Sequence, residues 1–162
     1  MVTVRKLIKD AEKLLDENQK DCNVPKVLFY HLANKEPHQL YLMMDEEVDQ
    51  DLYDSFQAGM KRYLEGEPIQ YIKGKETFFS RDFIVNENVL IPRYETEELV
   101  ENILYHIDDY FEDYETIDLC DVGTGSGAIA ISLALEEAKL KVVATDISDD
   151  ALEVARLNAK EL

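Results

Sequence analysis

Tryptophan is absent from this 162-residue chain, and cysteine occurs only at Cys22 and Cys120. Two cysteines make no disulfide framework, so a stapled, secreted mini-domain is excluded. Four prolines, none adjacent to another, and six glycines exclude collagen-like and low-complexity classes. No apolar stretch approaches the ~20 residues that span a bilayer. Met1-Val-Thr-Val-Arg-Lys runs straight into an amphipathic pattern with no signal-peptide layout, and the cytoplasm is the default expectation. No Lys/Arg run appears against a net charge of −18, which argues against this portion gripping a phosphate backbone by itself. The acid excess is uneven: residues 95–162 carry 18 acids and 4 bases. Spread over amphipathic helices, it reads as a solvated surface. His31, His38 and His106 show no metal-ligand spacing, and no metal is expected. The 46% hydrophobic content suffices for a globular core. At ~150 residues per domain, the length allows one domain or two small ones.

The most informative stretch is Asp121-Val-Gly-Thr-Gly-Ser-Gly127. An apolar run, Ile117 to Cys120, leads into it, and a small-residue helix, Ala128 to Leu135, leads out. Strand, glycine-rich turn and helix form the layout that binds a nucleotide-like ligand at a helix N-terminus. Gly123, Gly125 and Gly127 reach backbone angles closed to other residues and let a ligand approach the main chain. Lys141 to Thr145 reads as a second strand, closed by Asp146, whose carboxylate can accept both hydroxyls of a ribose. Gly123, Gly125 and Ala128 formally satisfy the dinucleotide pattern, so a dehydrogenase stays open on the glycines alone. The tighter Gly-x-Gly-x-Gly spacing favours S-adenosylmethionine. So does Asp121, which is placed to meet an ammonium and would repel a phosphate through like charge. The candidate cofactor-binding residues are Asp121, Gly123, Thr124, Gly125, Ser126, Gly127, Asp146 and Ile147. The plain alternative is a tight turn with no ligand.

The first third reads as helical. Val4, Leu7, Ile8, Ala11, Leu14 and Leu15 fall at helix spacing. A second helix is expected over about Pro25–Ala33, a short element around Leu40, Tyr41 and Met43, and a fourth from about Val48 to Leu64, stopped by Gly66 and Pro68. This is a small bundle with its own core, residues 1–66. Residues 67–94 then read as a β-hairpin linker. Tyr71-Ile72, Glu76 to Phe79 and Phe83 to Val85 are expected as short strands, with a turn at Ser80-Arg-Asp82. Val89 to Arg93 reads as a strand ended by Pro92. In residues 95–162, Thr96 is the expected N-cap of a helix whose buried face carries Leu99, Val100, Ile103, Leu104 and Ile107. The α/β pattern follows: strand 117–122 with Cys120 as a small core residue, helix 127–138, strand 141–145, and a helix from Ser148 to about Glu161. In that last helix Ala151, Leu152, Ala155 and Ala159 form the packing face. A parallel sheet of two strands is incomplete, since such sheets bury both faces and contain more strands. The fold class is α/β: a helical bundle, a hairpin, and the beginning of a Rossmann-like domain. Exposed strand edges make self-association or disorder of 115–162 an expectation.

Three blocks together resemble the HemK/PrmC family of release-factor glutamine methyltransferases. They are Glu67-Pro-Ile-Gln-Tyr-Ile-Lys-Gly-Lys-Glu-Thr-Phe-Phe79, Leu90-Ile-Pro-Arg-Tyr-Glu-Thr-Glu97, and Asp121 to Ile131 with Thr145-Asp-Ile-Ser148 and Asn158-Ala159. The glycine turn is shared by most methyltransferases of this fold, whereas the second block is far more specific. The resemblance covers essentially the whole chain. It implies S-adenosylmethionine as cofactor and peptide chain release factors as protein substrates, methylated on the glutamine of a Gly-Gly-Gln loop, with the helical bundle recognising the substrate. Tyr94 stands where the family commonly has a second proline. The family's catalytic Asn-Pro-Pro-Tyr does not occur in these residues, so no catalytic residue is assigned and the chain by itself is expected to be inactive.

Two other functions fit the same residues. One is a non-catalytic partner-binding module with a vestigial nucleotide-type turn. The other is a methyltransferase acting on an adenine amino group in nucleic acid, which the charge distribution disfavours. Arg93 is expected to pair with Glu97 or Asp121 in preference to a ligand, and Phe78 and Phe79 to be core residues more readily than a cofactor platform.

Overall fold

The computed structural model describes residues 2–162. It divides into two compact units, Met1–Lys73 and Gly74–Leu162. In order, the elements are α1 Val4–Glu17, α2 Val24–Leu32, α3 Pro37–Leu40, α4 Gln50–Leu64, α5 Ile69–Lys73, β1 Lys75–Phe78 and β2 Arg81–Ile84. These are followed by α6 Glu97–Tyr110, β3 Ile117–Val122, α7 Ala128–Glu136, β4 Leu140–Thr145 and α8 Asp149–Glu161.

The first unit is helical because its apolar residues recur every three or four positions. Val4, Leu7, Ile8, Ala11 and Leu15 bury one stripe of α1, and the Thr3 side chain caps its start by accepting from the Lys6 N–H. Asp49 caps α4 in the same way, at 2.9 Å from the Leu52 nitrogen. Phe29 of α2 meets Phe56 of α4 edge-on, with ring centroids 6.2 Å apart. Gly59 lets α4 approach closely, since a Cβ there would stand 2.8 Å from Leu28 Cδ2. Gly66, at φ +107°, ends the α4 segment as its position suggested. Tyr71-Ile72, expected as a strand, lies in helix α5. The Pro68 carbonyl accepts from the N–H groups of both Tyr71 and Ile72 and so opens a helical turn, and Ile69 and Ile72, three apart, pack on the bundle core.

In the second unit β1 and β2 form an antiparallel hairpin in which Phe78 pairs with Arg81. The turn is Phe79-Ser80, at φ 48° and 61°, and not Ser80-Arg-Asp82 as expected. A turn one residue shorter than expected changes which side chains share a face and so which go inside. With this register Phe78 and Phe83 share a face and bury together, their centroids 6.0 Å apart. On the other face Asp82 accepts from Thr77 Oγ1 at 2.8 Å and from Lys75 Nζ at 2.6 Å. The left-handed Phe79 is held from both sides: its N–H donates to Glu97 Oε1 at 2.8 Å, and its carbonyl accepts from Arg81 Nη1 at 3.2 Å.

Val89 to Arg93 is not a strand. Val89 and Ile91 are buried and Leu90 is exposed, so the segment alternates as a strand would while lying outside both sheets. Thr96 does not cap α6 through its side chain. It ends a 3-10 turn, Tyr94–Thr96, with helical backbone angles, so the hydroxyl is not set to reach the N–H groups ahead of it. Val100 and Ile107 bury the face of α6, Ile103 and Leu104 pack partly, and Leu99 is half exposed.

Strands β3 and β4 pair in parallel, Ile117 opposite Leu140 through Val122 opposite Thr145. Leu119 and Leu140 join Phe78, Phe83, Val100 and Leu133 in one core. The opposite face of the sheet is open, which corrects the core reading of Cys120. Paired with Val143 on that face, it is exposed, as are Val143 and Val122. Helix α8 begins at Ser148, whose hydroxyl accepts from the Ala151 N–H at 3.2 Å. Its buried face is Ala151, Val154, Ala155 and Asn158. Ala159, expected inside, is exposed, and Leu152 is only half buried.

Candidate functional site

The turn after β3 owes its shape to three glycines in the left-handed region: Gly123 at φ 80°, Gly125 at 56° and Gly127 at 82°. Each stretch of its backbone has a partner. The N–H groups of Gly123 and Thr124 both donate to the Thr145 carbonyl, at 2.8 and 2.9 Å, and the Gly127 N–H donates to the Thr124 carbonyl at 2.9 Å. The parallel pairing of β3 with β4 therefore continues into the turn and ties it to the end of the second strand.

Two carboxylates flank this backbone. Asp121, at the end of β3, accepts from Thr124 Oγ1 at 2.7 Å through Oδ2. Asp146, just past β4, accepts from the Gly125 N–H at 2.8 Å through Oδ2 and from the Ser148 N–H at 3.0 Å through Oδ1. The Ser148 and Gly125 N–H groups hold the Asp146 carboxyl below the usual carboxylate range, against a smaller opposing effect of burial. It is an anion at neutral pH, and a carboxylate with about four lone-pair sites keeps acceptor capacity for a further donor. Beside it Ile147 is fully solvent-exposed, an unusual position for a β-branched apolar side chain.

The structure thus brings Asp121, Gly123, Thr124, Gly125 and Asp146 into one hydrogen-bonded turn, with Ser126 and Gly127 leading into α7. Thr124 and Ser126 are themselves buried. Arg93 is exposed and forms no ion pair with Glu97 or Asp121. Glu97 serves the hairpin turn and Asp121 serves Thr124, so neither carboxylate is directed at it. Phe78 is buried in the core of the unit, while Phe79 is half buried at the hairpin tip. His106 is exposed and stacks on Tyr110 at 5.7 Å. Among the described residues no cluster of His, Cys, Asp and Glu could hold a metal ion, and no helix is long and apolar enough to cross a membrane.

Residue-by-residue reading missed the part played by Asn158, 1% exposed on the inner face of α8. Its side-chain nitrogen donates to the Ser126 carbonyl in the glycine turn at 2.9 Å. The available signal was its position: an Asn four residues beyond Val154 and three beyond Ala155 occupies an apolar stripe, where an amide must have partners to be tolerated.

Residues 6–74 match the PrmC N-terminal domain, and residues 114–162 match a methyltransferase domain. By these two matches the chain resembles the HemK/PrmC family. It is 43% identical over 159 residues to a release factor glutamine methyltransferase of Bacillus cereus, covering 98% of this chain and 56% of that protein. To the Bacillus subtilis release factor glutamine methyltransferase it is 40% identical over 162 residues, the whole of this chain and 56% of that one. A third relative with the same name, from Chlorobaculum tepidum, is 39% identical over 150 residues, 92% of this chain and 50% of that protein. The chain spans about half the length of the curated relatives it matches.

Proposed function

We propose that this chain provides the substrate-recognition bundle and one part of the cofactor site of a protein-glutamine methyltransferase. Its donor is S-adenosylmethionine, and its acceptor is the side-chain amide nitrogen of the glutamine in the Gly-Gly-Gln loop of peptide chain release factors. The observation that carries the reading is Asp146. Its carboxylate is ionised, braced by the Gly125 and Ser148 N–H groups, and has acceptor capacity left over at the rim of the glycine turn. The names of the relatives support the choice of release factors as substrate.

The residues present fit such a cofactor. Nothing lies within 4 Å of where a Cβ would stand on Gly123 or Gly125, so the backbone there is approachable. Asp146 would accept from the ribose hydroxyls. Asp121, with Oδ2 on Thr124, would offer Oδ1 to an ammonium. Ile147 would cover an aromatic base with its exposed side chain. When bound, S-adenosylmethionine supplies an electrophilic sulfonium methyl. The groups of this chain bind and orient. The amide nitrogen of glutamine is a weak nucleophile, because its lone pair is delocalised, and methylating it needs donors and acceptors that hold it in line. The Asn-Pro-Pro-Tyr that would do so is not among these 162 residues, and we expect no methyl transfer by them alone. We assign substrate recognition to residues 1–66, the linker to 67–94, and the cofactor site to 95–162.

The test uses methyl-labelled S-adenosylmethionine and a purified release factor, with the 162-residue chain beside the full-length protein. Label should reach the release factor only with the full-length protein. Transfer by the 162 residues would place the catalytic groups inside them and overturn the division of labour. A full-length protein that binds the cofactor and leaves the release factor unlabelled would overturn the substrate. One that binds no cofactor would favour a partner-binding module with a vestigial turn.

A further inference from the structure

Asn158 has every geometric property of a device that couples two elements, and no part of the cofactor reading uses it. Its Oδ1 accepts from the Ile84 N–H at 2.7 Å, and its Nδ2 donates to the Ile84 carbonyl at 3.0 Å. Ile84 lies in β2, and its neighbour Val85 is the residue that donates back across the hairpin, to the Gly74 carbonyl. The polar groups of Ile84 are turned the other way, and the Asn158 amide takes both, as the next strand of the sheet would. The second Nδ2 proton goes to the Ser126 carbonyl at 2.9 Å. Three of the four hydrogen bonds a primary amide can make are therefore formed, at a site 1% exposed. An ionised Asp has no donor to give, and Ser does not combine an acceptor with two donors.

The consequence falls on one peptide unit. The Ser126 carbonyl is held by Asn158, and the N–H at the other end of the same peptide, on Gly127, is held by the Thr124 carbonyl. With both ends tied, the Ser126–Gly127 peptide cannot turn over. Gly127 also admits α8 at close range, since a Cβ on it would stand 3.3 Å from Ala155 Cβ, one helical turn before Asn158. Helix α8 thus grips the glycine turn at two points, through Asp146 before its first residue and through Asn158 near its end.

We propose that Asn158 is a positioning residue for cofactor binding: it locks the Ser126–Gly127 peptide and couples the β1–β2 hairpin to the glycine turn, so that ligand in the turn stiffens the hairpin. The inference rests on the cofactor reading above. Asn158→Asp sets a carboxylate against the Ile84 and Ser126 carbonyls and breaks the lock by repulsion; Asn158→Ser loosens it more mildly.

The experiment is calorimetry of S-adenosylmethionine on the full-length protein, wild type and both variants, with amide hydrogen exchange at Ile84 with and without cofactor. Wild type should bind and Ile84 exchange should slow on binding. Affinity should fall roughly tenfold or more in Asn158→Asp, on the scale of a hydrogen bond made by or lost to a charged group, and by less in Asn158→Ser. The cofactor effect at Ile84 should vanish in both. Wild type that binds while both variants match its affinity would overturn the inference and leave the cofactor reading standing. If neither variant folds, the wild-type exchange decides: an Ile84 amide indifferent to bound cofactor overturns the coupling. Failure of wild type to bind overturns the cofactor reading and the inference with it.

Discussion

The Asp146 carboxylate and the Gly125 N–H, 21 residues apart, meet at 2.8 Å across the glycine turn. The acid at the end of β4 braces the turn at the end of β3 before any ligand enters. It is therefore a structural partner and a candidate ligand acceptor at the same time, and the two roles separate by pH and by affinity.

The pH dependence has a definite sign. The carboxyl of Asp146 is held below its ordinary value by the Ser148 and Gly125 N–H groups. A depressed native pKa contributes stability that is fully present above the unfolded value of about 3.9 and is lost as pH falls through the native value. Thermal unfolding of wild type and Asp146→Asn, followed from pH 7 to pH 2, should show a stability gap that is constant at neutral pH and closes in acid. A gap of constant size at every pH would show that the ionised form is not the one being stabilised.

For the ligand, Asp146→Ala in the full-length protein should weaken S-adenosylmethionine roughly tenfold or more, the scale of a charged hydrogen bond. Gly125→Val should do so too, by filling the open space over the turn. Calorimetry reads both, and undiminished affinity in Asp146→Ala would remove the ribose assignment.

The three turn glycines should differ in their cost to stability. At Gly123 and Gly125 a Cβ meets nothing, so Ala adds only the left-handed penalty of about 1–2 kcal/mol. At Gly127 a Cβ would stand 2.8 Å from Ile131 Cδ1, so overpacking of about 1–3 kcal/mol adds to that penalty. Denaturant unfolding should rank Gly127→Ala as the most damaging of the three.

Gly59→Ala opposes two effects. Ala gains about 0.5–1 kcal/mol over Gly in a helix interior. The new methyl would lie 2.8 Å from Leu28 Cδ2, 3.2 Å from Leu28 Cδ1 and 3.4 Å from Ile72 Cγ2, and Leu28 is fully buried. Overpacking of about 1–3 kcal/mol exceeds the helix gain, so the variant should be less stable in denaturant titration.

Ser80→Gly should act in the opposite direction. Ser80 occupies the left-handed region at φ 61° in a two-residue hairpin turn whose second position favours glycine. Relief of the side-chain penalty should raise stability by about 1 kcal/mol, and an unchanged midpoint would mean the serine side chain compensates.

Deleting residues 1–66 from the full-length protein should leave cofactor binding intact and abolish methylation of the release factor. Normal methylation by the truncated protein would give the bundle another task.

Local pattern was enough wherever a signal was periodic and repeated. The helix stripes, the glycine turn between two apolar runs, Asp146 after the second run and the Ser148 cap all follow from residue spacing, because helix periodicity and left-handed backbone are local properties. Short segments read less well. Tyr71-Ile72 carries too few positions to separate a strand from a helical turn, and the docking of Ile69 and Ile72 on the bundle decides it. The hairpin closes on two residues where three were expected, because burying Phe78 with Phe83 outweighs the left-handed cost at Phe79 and Ser80.

By itself, then, the sequence determined the long helices, the two parallel strands, the glycine turn between them and the family resemblance, since each is written in residue identity and spacing along one stretch of chain. The tertiary structure alone decided that Cys120 faces outward, that Arg93 pairs with neither Glu97 nor Asp121, and that Asn158 reaches Ile84 and Ser126, 74 and 32 residues away. These depend on which faces the fold covers and on what a buried amide finds across the core. A contact between distant segments leaves only a faint mark on either one: here, an asparagine in line with Ala151, Val154 and Ala155 on the buried face of α8.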